Sequence, residues 1–283
     1  MSAFPDPALD SLRAAYPEQP VLLDHDLVDH PLLKLDALAA LAGRIRPVDA
    51  EYNRGDVPVG LDPADTPSNG LSIADTIRSI EECGSWMVLK FIEQDEAYRG
   101  LLHDVLADVG PAVRDSTGEM LKREGFIFIS SPGSVTPFHF DPEHNILLQI
   151  RGQKVMTIFA ADDEKVVPGV EHERFHNGGH RNLPWRDDLA VEGRPFALTP
   201  GKAVYVPVKA PHWVQNGPEV SISLSITWRS EWSYDEEYAR RMNHILRRAG
   251  MKPRAPGRFP DNNRLKSIGY RAIAKAGRMG RGS

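Results

Sequence analysis

The residues of this sequence best placed to do chemistry are His139, Asp141 and His212. His139-Phe140-Asp141 lies in a run that reads as a strand. Side chains two apart on a strand share a face, so the imidazole and the carboxylate project together. His212 follows a second strand-like run ending in Tyr205-Val206-Pro207. Two imidazoles and one carboxylate from neighbouring strands can occupy one face of an octahedral metal and leave three positions open. That donor set is the one associated with non-haem Fe(II) oxygenases. A closed tetrahedral zinc site would leave no room for a bidentate cosubstrate plus O2. A His-x-Asp tripeptide alone carries little weight, because a strand histidine is commonly a hydrogen-bonded core residue.

The spacing around these residues adds weight. Gly133, His139, Asp141, Asn145 and Gly152 stand in an order that resembles a first cupin motif, with Asp141 and Asn145 where many cupins carry His and Glu. Gly201, Pro207, His212 and Asn216 resemble the second cupin motif, without its usual glycine after the proline. The stretch from Thr136-Pro137-Phe138-His139-Phe140-Asp141 through Asn145 to Gln149-Ile150-Arg151-Gly152-Gln153-Lys154 is similar to the JmjC-type 2-oxoglutarate oxygenases, in particular their asparaginyl-hydroxylase-like branch. The resemblance runs from about Trp86 to Trp232 and is most specific over 135–159 and 198–213. It implies that His139, Asp141 and His212 bind Fe(II), and that Lys154 pairs with the distal carboxylate of 2-oxoglutarate. It implies further that Thr136 assists with a hydroxyl, that Asn145 supplies an amide near the metal, and that O2 is the oxidant. The implied activity is hydroxylation of a C–H bond, with a protein or peptide side chain as the first substrate class, a small molecule as the second, and N-methyl removal as a variant of the chemistry.

Physical chemistry agrees about Lys154. A dicarboxylate chelating a metal at one end leaves a second charge inside the barrel, and burying it unpaired is very costly. An inward lysine with a hydroxyl beside it meets that need. The competing readings are an exposed strand lysine for Lys154, strand propensity for Thr136 and a turn residue for Asn145. Glu143 and His144 read as supporting groups or turn residues. His172, His176 and His180 recur every four residues and would share a face on a helix as a second metal site, but Gly178, Gly179 and Pro184 argue for a loop there. Arg181, Trp185 and Arg186 read as substrate contacts or loop anchors, and the long insert 161–195 as a lid over the barrel mouth. Cys83 reads as a buried small apolar residue.

The elements that must position these residues follow from periodicity. Residues 32–41 form a leucine- and alanine-rich helical run, and 53–69 a Pro- and Gly-containing loop. Ser72 caps a helix carrying Ile73, Ile77 and Ile80, which Gly84 stops. A strand follows over 86–92, then an amphipathic helix marked by Leu101, Leu102, Val105, Leu106 and Val109. Beyond Gly125 come six short strand-like runs, at 126–130, 135–141, 146–150, 154–159, 203–208 and 220–228. The last alternates strictly, with Ile222, Leu224, Ile226 and Trp228 on one face and Ser221, Ser223, Ser225 and Thr227 on the other. Tyr238, Met242, Ile245 and Leu246 then mark a helix, and the Arg/Lys/Gly-rich end reads as loosely held. The expected fold is mainly β with α flanks: a double-stranded β-helix (jelly-roll) core with N-terminal helices and a C-terminal helical extension. Its expected divisions are 1–85, 86–232 and 233–283.

Composition bounds the remaining possibilities. Of 283 residues, 41% are apolar and 26% charged, as in an ordinary globular chain rather than a disordered one. No run approaches the roughly 18 apolar residues of a membrane span, and the N-terminus lacks a secretory pattern, so no membrane partner is expected. One cysteine excludes an internal disulfide and fits a reducing, cytoplasmic setting. The net charge of −5 argues against a whole-surface nucleic-acid binder. From Arg229 onward, however, 14 Lys/Arg stand against 5 Asp/Glu, or +9, which leaves −14 on the preceding 228 residues. That tail packs on the acidic body or meets nucleic acid or another acidic partner. A non-oxidative metal-binding cupin, either an isomerase or a small-ligand module, is the other reading of the core; it has no need of Lys154. A homodimer through the C-terminal helix is also open.

Overall fold

The structure, a computed structural model, describes residues 2–60 and 68–279. Eight consecutive strands build two facing four-stranded sheets. They are β4 (Leu121–Ser130), β5 (Val135–His139), β6 (His144–Arg151), β7 (Lys154–Ile158), β8 (Arg194–Leu198), β9 (Lys202–Val206), β10 (His212–Asn216) and β11 (Ser221–Arg229). One sheet runs β5-β10-β7-β8, and the other contains β9-β6-β11-β4, every pairing antiparallel. Successive strands alternate between the two sheets except at the central β7–β8 pair, which stays in one sheet, and this is the jelly-roll arrangement.

The larger sheet is extended at both edges. β1 (Val21–Asp24) pairs with β9, while β3 (Ser85–Lys90) pairs with β4 and β2 (Ala50–Arg54) with β3, giving seven strands. The N-terminal region therefore contributes strands as well as the expected helices. β1 has only four residues, and β2 reads Ala-Glu-Tyr-Asn-Arg without an apolar alternation, so neither announces itself. Asn53 and Arg54, expected in a loop, end β2; of that expected loop, residues 61–67 lie outside the described residues.

β11 shows why the sheet has two unlike faces. Ile222, Leu224, Ile226 and Trp228 are fully buried under a helical layer of α1 (Asp6–Ala15), α2 (Leu35–Ala42) and α4 (Glu96–Thr117), where they meet Leu12, Leu38, Leu41, Tyr98 and Val105. Tyr98 donates its hydroxyl to Leu32 O at 2.7 Å, so this large residue is buried without an orphaned polar atom. The alternate Ser223, Ser225 and Thr227 face the jelly-roll interior, where Ser223 Oγ donates to Gln149 Oε1 at 2.6 Å and Ser225 Oγ to Asn145 Oδ1 at 2.8 Å. At the far end of the interior, Leu147, Val204 and Val206 pack against Met156, Ile158, Phe196, Leu198 and Val214 of the smaller sheet.

Ser72 caps α3 (Ile73–Arg78) as expected, accepting from Asp75 N at 3.2 Å. α6 (Glu231–Arg248) begins with a reciprocal Ser230–Ser233 capping box. Of the basic segment expected to be loosely held, residues 264–279 form α7 (Arg264–Met279), whose Tyr270 ring stacks on Tyr238 of α6 at 5.8 Å, and residues 280–283 lie outside the described residues. The glycines and basic residues hid a helix whose apolar positions recur every three or four residues. Among the described residues, no helix is long and apolar enough to cross a membrane.

Leu224 is the fully buried midpoint between sheet and helices. Leu224→Ala is expected to cost about 2–5 kcal/mol of unfolding free energy. Urea titration would show this as a lowered midpoint at unchanged slope.

Candidate metal centre and cleft

His139 ends β5, Asp141 lies in the turn that follows, and His212 opens β10. The pairing of β5 with β10 sets His212 directly opposite His139, and the two rings stand 4.2 Å apart between centroids. Asp141 Oδ2 lies 3.8 Å from His139 Nε2 and 3.7 Å from His212 Nε2. One ligand atom from each of the three falls within 4.8 Å of the others, and among the described residues no other group of three does so.

The proton positions suit a cation. His139 Nδ1–H donates to Pro137 O at 2.7 Å and His212 Nδ1–H to Ala210 O at 3.0 Å. Each carbonyl can only accept, so each Nε2 is left with its lone pair turned toward Asp141. Burial, reinforced by the neighbouring His212, pushes His139 down to about 3, and burial lowers His212 as well. Burial alone would raise Asp141, but the Arg181 guanidinium and the two imidazoles outweigh it and hold the carboxyl below its ordinary value. Two neutral imidazoles and an ionised carboxylate are the forms in which these side chains bind a metal.

All six residues singled out in the sequence line one cleft of about 750 Å³: His139, Asp141, His212, Lys154, Thr136 and Asn145. Lys154 opens β7 opposite Asn216 of β10, so that β10 alone separates its strand from that of His139. It is 5% exposed, and burial lowers its ammonium to about 7. Thr136 reaches the cleft from β5 and Asn145 from β6, the latter held by Ser225. Glu143 also lines the cleft; burial and the neighbouring Asp141 raise its carboxyl. β2, β3 and β4 add an outer wall containing Glu51, Trp86, Phe126 and Phe128.

Other expectations resolve differently. His144 is fully buried on the opposite face of β6, bonded to Tyr205 Oη and Ser230 Oγ at 3.0 Å each and stacked on Trp228 at 5.3 Å, so it serves the helix-covered core. The segment expected as a loop around the recurrent histidines is helical over α5 (Gly169–His176), because Gly178 and Gly179 lie beyond its last residue. His172 and His176 are buried on α5, and His176 Nε2 stands 3.9 Å from Glu236 of α6. His180 lies beyond the helix and lines the cleft, so the three do not share a face. Cys83 is half-buried, its sulfur 3.7 Å from Thr76 O.

The insert is anchored rather than free. Leu183 N donates to Phe138 O at 2.9 Å and Phe140 N to Arg181 O at 3.4 Å, so residues 181–183 run along the metal-ligand segment. Val166, Val167, Leu183 and Leu189 form a buried cluster with Phe138, Phe140 and Phe159, and Trp185 packs on its edge. Trp185 and Arg186 are loop anchors, bonded to Asp187 and Asp188. Arg181 Nη1 donates to Asp141 Oδ1 at 2.6 Å, leaving Oδ2 toward the imidazoles. Lys209 was given no role by its sequence context. Its backbone N–H donates to Asp141 O at 2.8 Å from a left-handed conformation (φ 65°), and its buried ammonium lies 4.4 Å over the Phe140 ring.

No protein-family model matches the chain. In sequence it is similar to lysine-specific demethylase 8 of Xenopus tropicalis (29% identity over 103 residues, 34% of this chain and 23% of that protein). It is also similar to lysine-specific demethylase JMJ30 of Arabidopsis thaliana (29% over 105 residues, 35% and 24%). Jumonji C domain-containing protein 5 of Drosophila melanogaster is 30% identical over 108 residues, 36% of this chain and 26% of that protein. The match thus spans about a quarter of each of these relatives. The X-ray structure of E. coli ycfD aligns with a TM-score of 0.53 at 15% identity, covering 97% of this chain and 68% of that one, a likeness of fold.

Arg181→Met removes the partner that orients Asp141. Loss of such an outer hydrogen bond is expected to weaken Mn(II) binding by about 10–100-fold, read by calorimetry on the full chain. Unchanged affinity would show that Arg181 does not orient the carboxylate.

Proposed function

With a JmjC-type cupin core as the premise, we propose that this chain is an Fe(II)- and 2-oxoglutarate-dependent oxygenase that oxidises a C–H bond of a protein or peptide side chain. The observation that carries the reading is one cleft holding two neutral imidazoles and a carboxylate at one end, with a buried ammonium on an adjacent strand. The donor set fits iron: nitrogen and oxygen ligands on one side, with open positions on the cleft side. Bound iron, with 2-oxoglutarate and O2, supplies the oxidation of the substrate carbon.

The chain's own part is binding, orientation and exclusion of water. His139, Asp141 and His212 hold the metal, their outer atoms fixed by Pro137 O, Arg181 and Ala210 O. Lys154 receives the distal carboxylate of 2-oxoglutarate, and Thr136 adds a hydroxyl donor. Pairing a charged carboxylate with a buried ammonium turns two desolvated charges into one hydrogen-bonded pair. Asn145, oriented by Ser225, presents its amide nitrogen to the same cleft. Met156, Val214, Leu147 and Phe128 close the interior around it, where a dry surround strengthens each polar contact. The outer wall of Glu51, Trp86 and Phe126 receives the substrate chain. A protein substrate is favoured by the relatives' names, two of which are lysine-specific demethylases. Hydroxylation and demethylation share the oxidation step. Mass spectrometry of candidate peptides separates them, by a gained oxygen or a lost methyl group.

Anaerobic titration of the Fe(II)-loaded chain with 2-oxoglutarate is expected to produce a metal-to-ligand charge-transfer band. Lys154→Ala should weaken 2-oxoglutarate binding by about 100-fold or more, the range for truncating one member of a buried charge pair. A non-oxidative cupin would show no such band, and its ligand affinity would ignore Lys154.

A pH dependence follows. Free Lys154 loses its proton near pH 7, and the bound carboxylate favours the charged form. Binding therefore takes up a proton above pH 7, and 2-oxoglutarate affinity falls as pH rises from about 7 toward 9. Isothermal titration in buffers of different ionisation enthalpy measures that uptake; Lys154→Arg should abolish it.

A further inference from the structure

α7 has two unlike sides. Its inner side is committed to α6: Tyr270 stacks on Tyr238, Ser267 Oγ donates to Asp235 Oδ1 at 2.6 Å, and a Cβ added at Gly269 would stand 2.8 Å from Met242 Cε. Its outer side carries two parallel strips. Leu265, Ile268, Ala272 and Ala276 follow the i, i+3, i+7, i+11 spacing of one helical stripe, with Leu265 at 89% and Ile268 at 62% exposed. Arg264, Arg271 and Lys275 stand beside it at i, i+7 and i+11, all three exposed; the i+3 position between them is the buried Ser267, and the Arg271 guanidinium lies 5.9 Å over the Tyr238 ring at the edge of the α6 contact. Leaving leucine and isoleucine this open while the inner face is well packed is a cost that intramolecular packing does not explain.

We propose that this outer face of α7 docks on an anionic phospholipid surface, lying in its plane. A lipid interface accepts both strips at once: the apolar strip enters the boundary of headgroups and acyl chains, and the guanidinium and ammonium groups meet the phosphates. A nucleic acid would use the basic strip and leave the apolar one in water. The charge distribution supports the orientation. Residues 229–283 carry +9 and the preceding chain −14, so an anionic surface attracts the C-terminal end and repels the rest. The helix rides on the surface rather than crossing it, in keeping with the absence of a spanning helix among the described residues.

The test is co-sedimentation of the full chain with vesicles of phosphatidylglycerol and phosphatidylcholine in equal parts, against phosphatidylcholine alone. Binding is expected only to the former and to weaken with salt. Each basic residue near the surface contributes about fivefold, so Arg264→Gln with Lys275→Gln should weaken binding by about 25-fold. Leu265→Ser with Ile268→Ser should weaken it by about tenfold or more. These side chains are solvent-facing, so circular dichroism and 2-oxoglutarate binding should stay as in the parent chain. Three results would overturn the proposal. One is no binding to the anionic vesicles. Another is binding insensitive to the Leu265/Ile268 pair and matched by duplex DNA, which indicates a polyanion site. The last is a dimer that the serine pair dissociates, with no affinity for vesicles, which assigns the face to a second copy.

Discussion

The site depends on one register: His212 of β10 set opposite His139 of β5. Antiparallel pairing fixes which residues face each other, and a slip of one residue would turn an imidazole out of the cleft. The same strand, β10, pairs on its other side with β7 and sets Asn216 opposite Lys154. One five-residue strand thus fixes the distance between the metal ligands and the buried ammonium. The carboxylate is not on a strand. It is held from outside, by Arg181 of the insert and by the backbone N–H of Lys209. Two ligands are positioned by sheet geometry and the third by tertiary contacts.

This division explains which parts could be read from the sequence. Lys154 and β11 were legible because strands repeat every two residues and the interior face must carry the chemistry, whereas the His139–Asp141 pair was found by its motif spacing, since Asp141 lies past the end of β5 and not on the strand expected for it. Arg181 was not legible. It sits in an irregular segment whose pairing with residues 138–140 is decided by the buried cluster of Phe138, Phe140, Leu183 and Leu189. Lys209 was hidden for a related reason, since nothing in its neighbours marks a left-handed residue with a buried ammonium. β8 (Arg-Pro-Phe-Ala-Leu) and β10 (His-Trp-Val-Gln-Asn) are short and mix polar with apolar residues, so their pairing partners define them. His144 shows the opposite failure. Its neighbours suggested the cleft, yet the pleat turns it to the helix-covered face beside Trp228.

The two faces of the larger sheet carry different burdens. The helix-covered face is apolar; Tyr98 pairs with Leu32 O and His144 with Tyr205 and Ser230, while the buried Trp228 Nε1 has no hydrogen-bond partner among the described residues. The interior face uses Ser223, Ser225 and Thr227 where aliphatic residues would fill the space. Their small size leaves the cleft open, and their hydroxyls orient Gln149 and Asn145. Stability is concentrated on one side of β11 and reactivity on the other, a single residue apart along the chain.

The edge strand β1 has a consequence for how the molecule is made. Val21 pairs with Tyr205, and the Tyr205 hydroxyl reaches back to Pro17 O at 3.0 Å. During synthesis β1 therefore waits, unpaired, until β9 has left the ribosome. Such long-range closure is slow, because a large loop must be ordered before any contact rewards it. The open edge at β9 is thus covered by a much earlier part of the chain, while β10 and β11, which complete the barrel and bring in His212, are still to come.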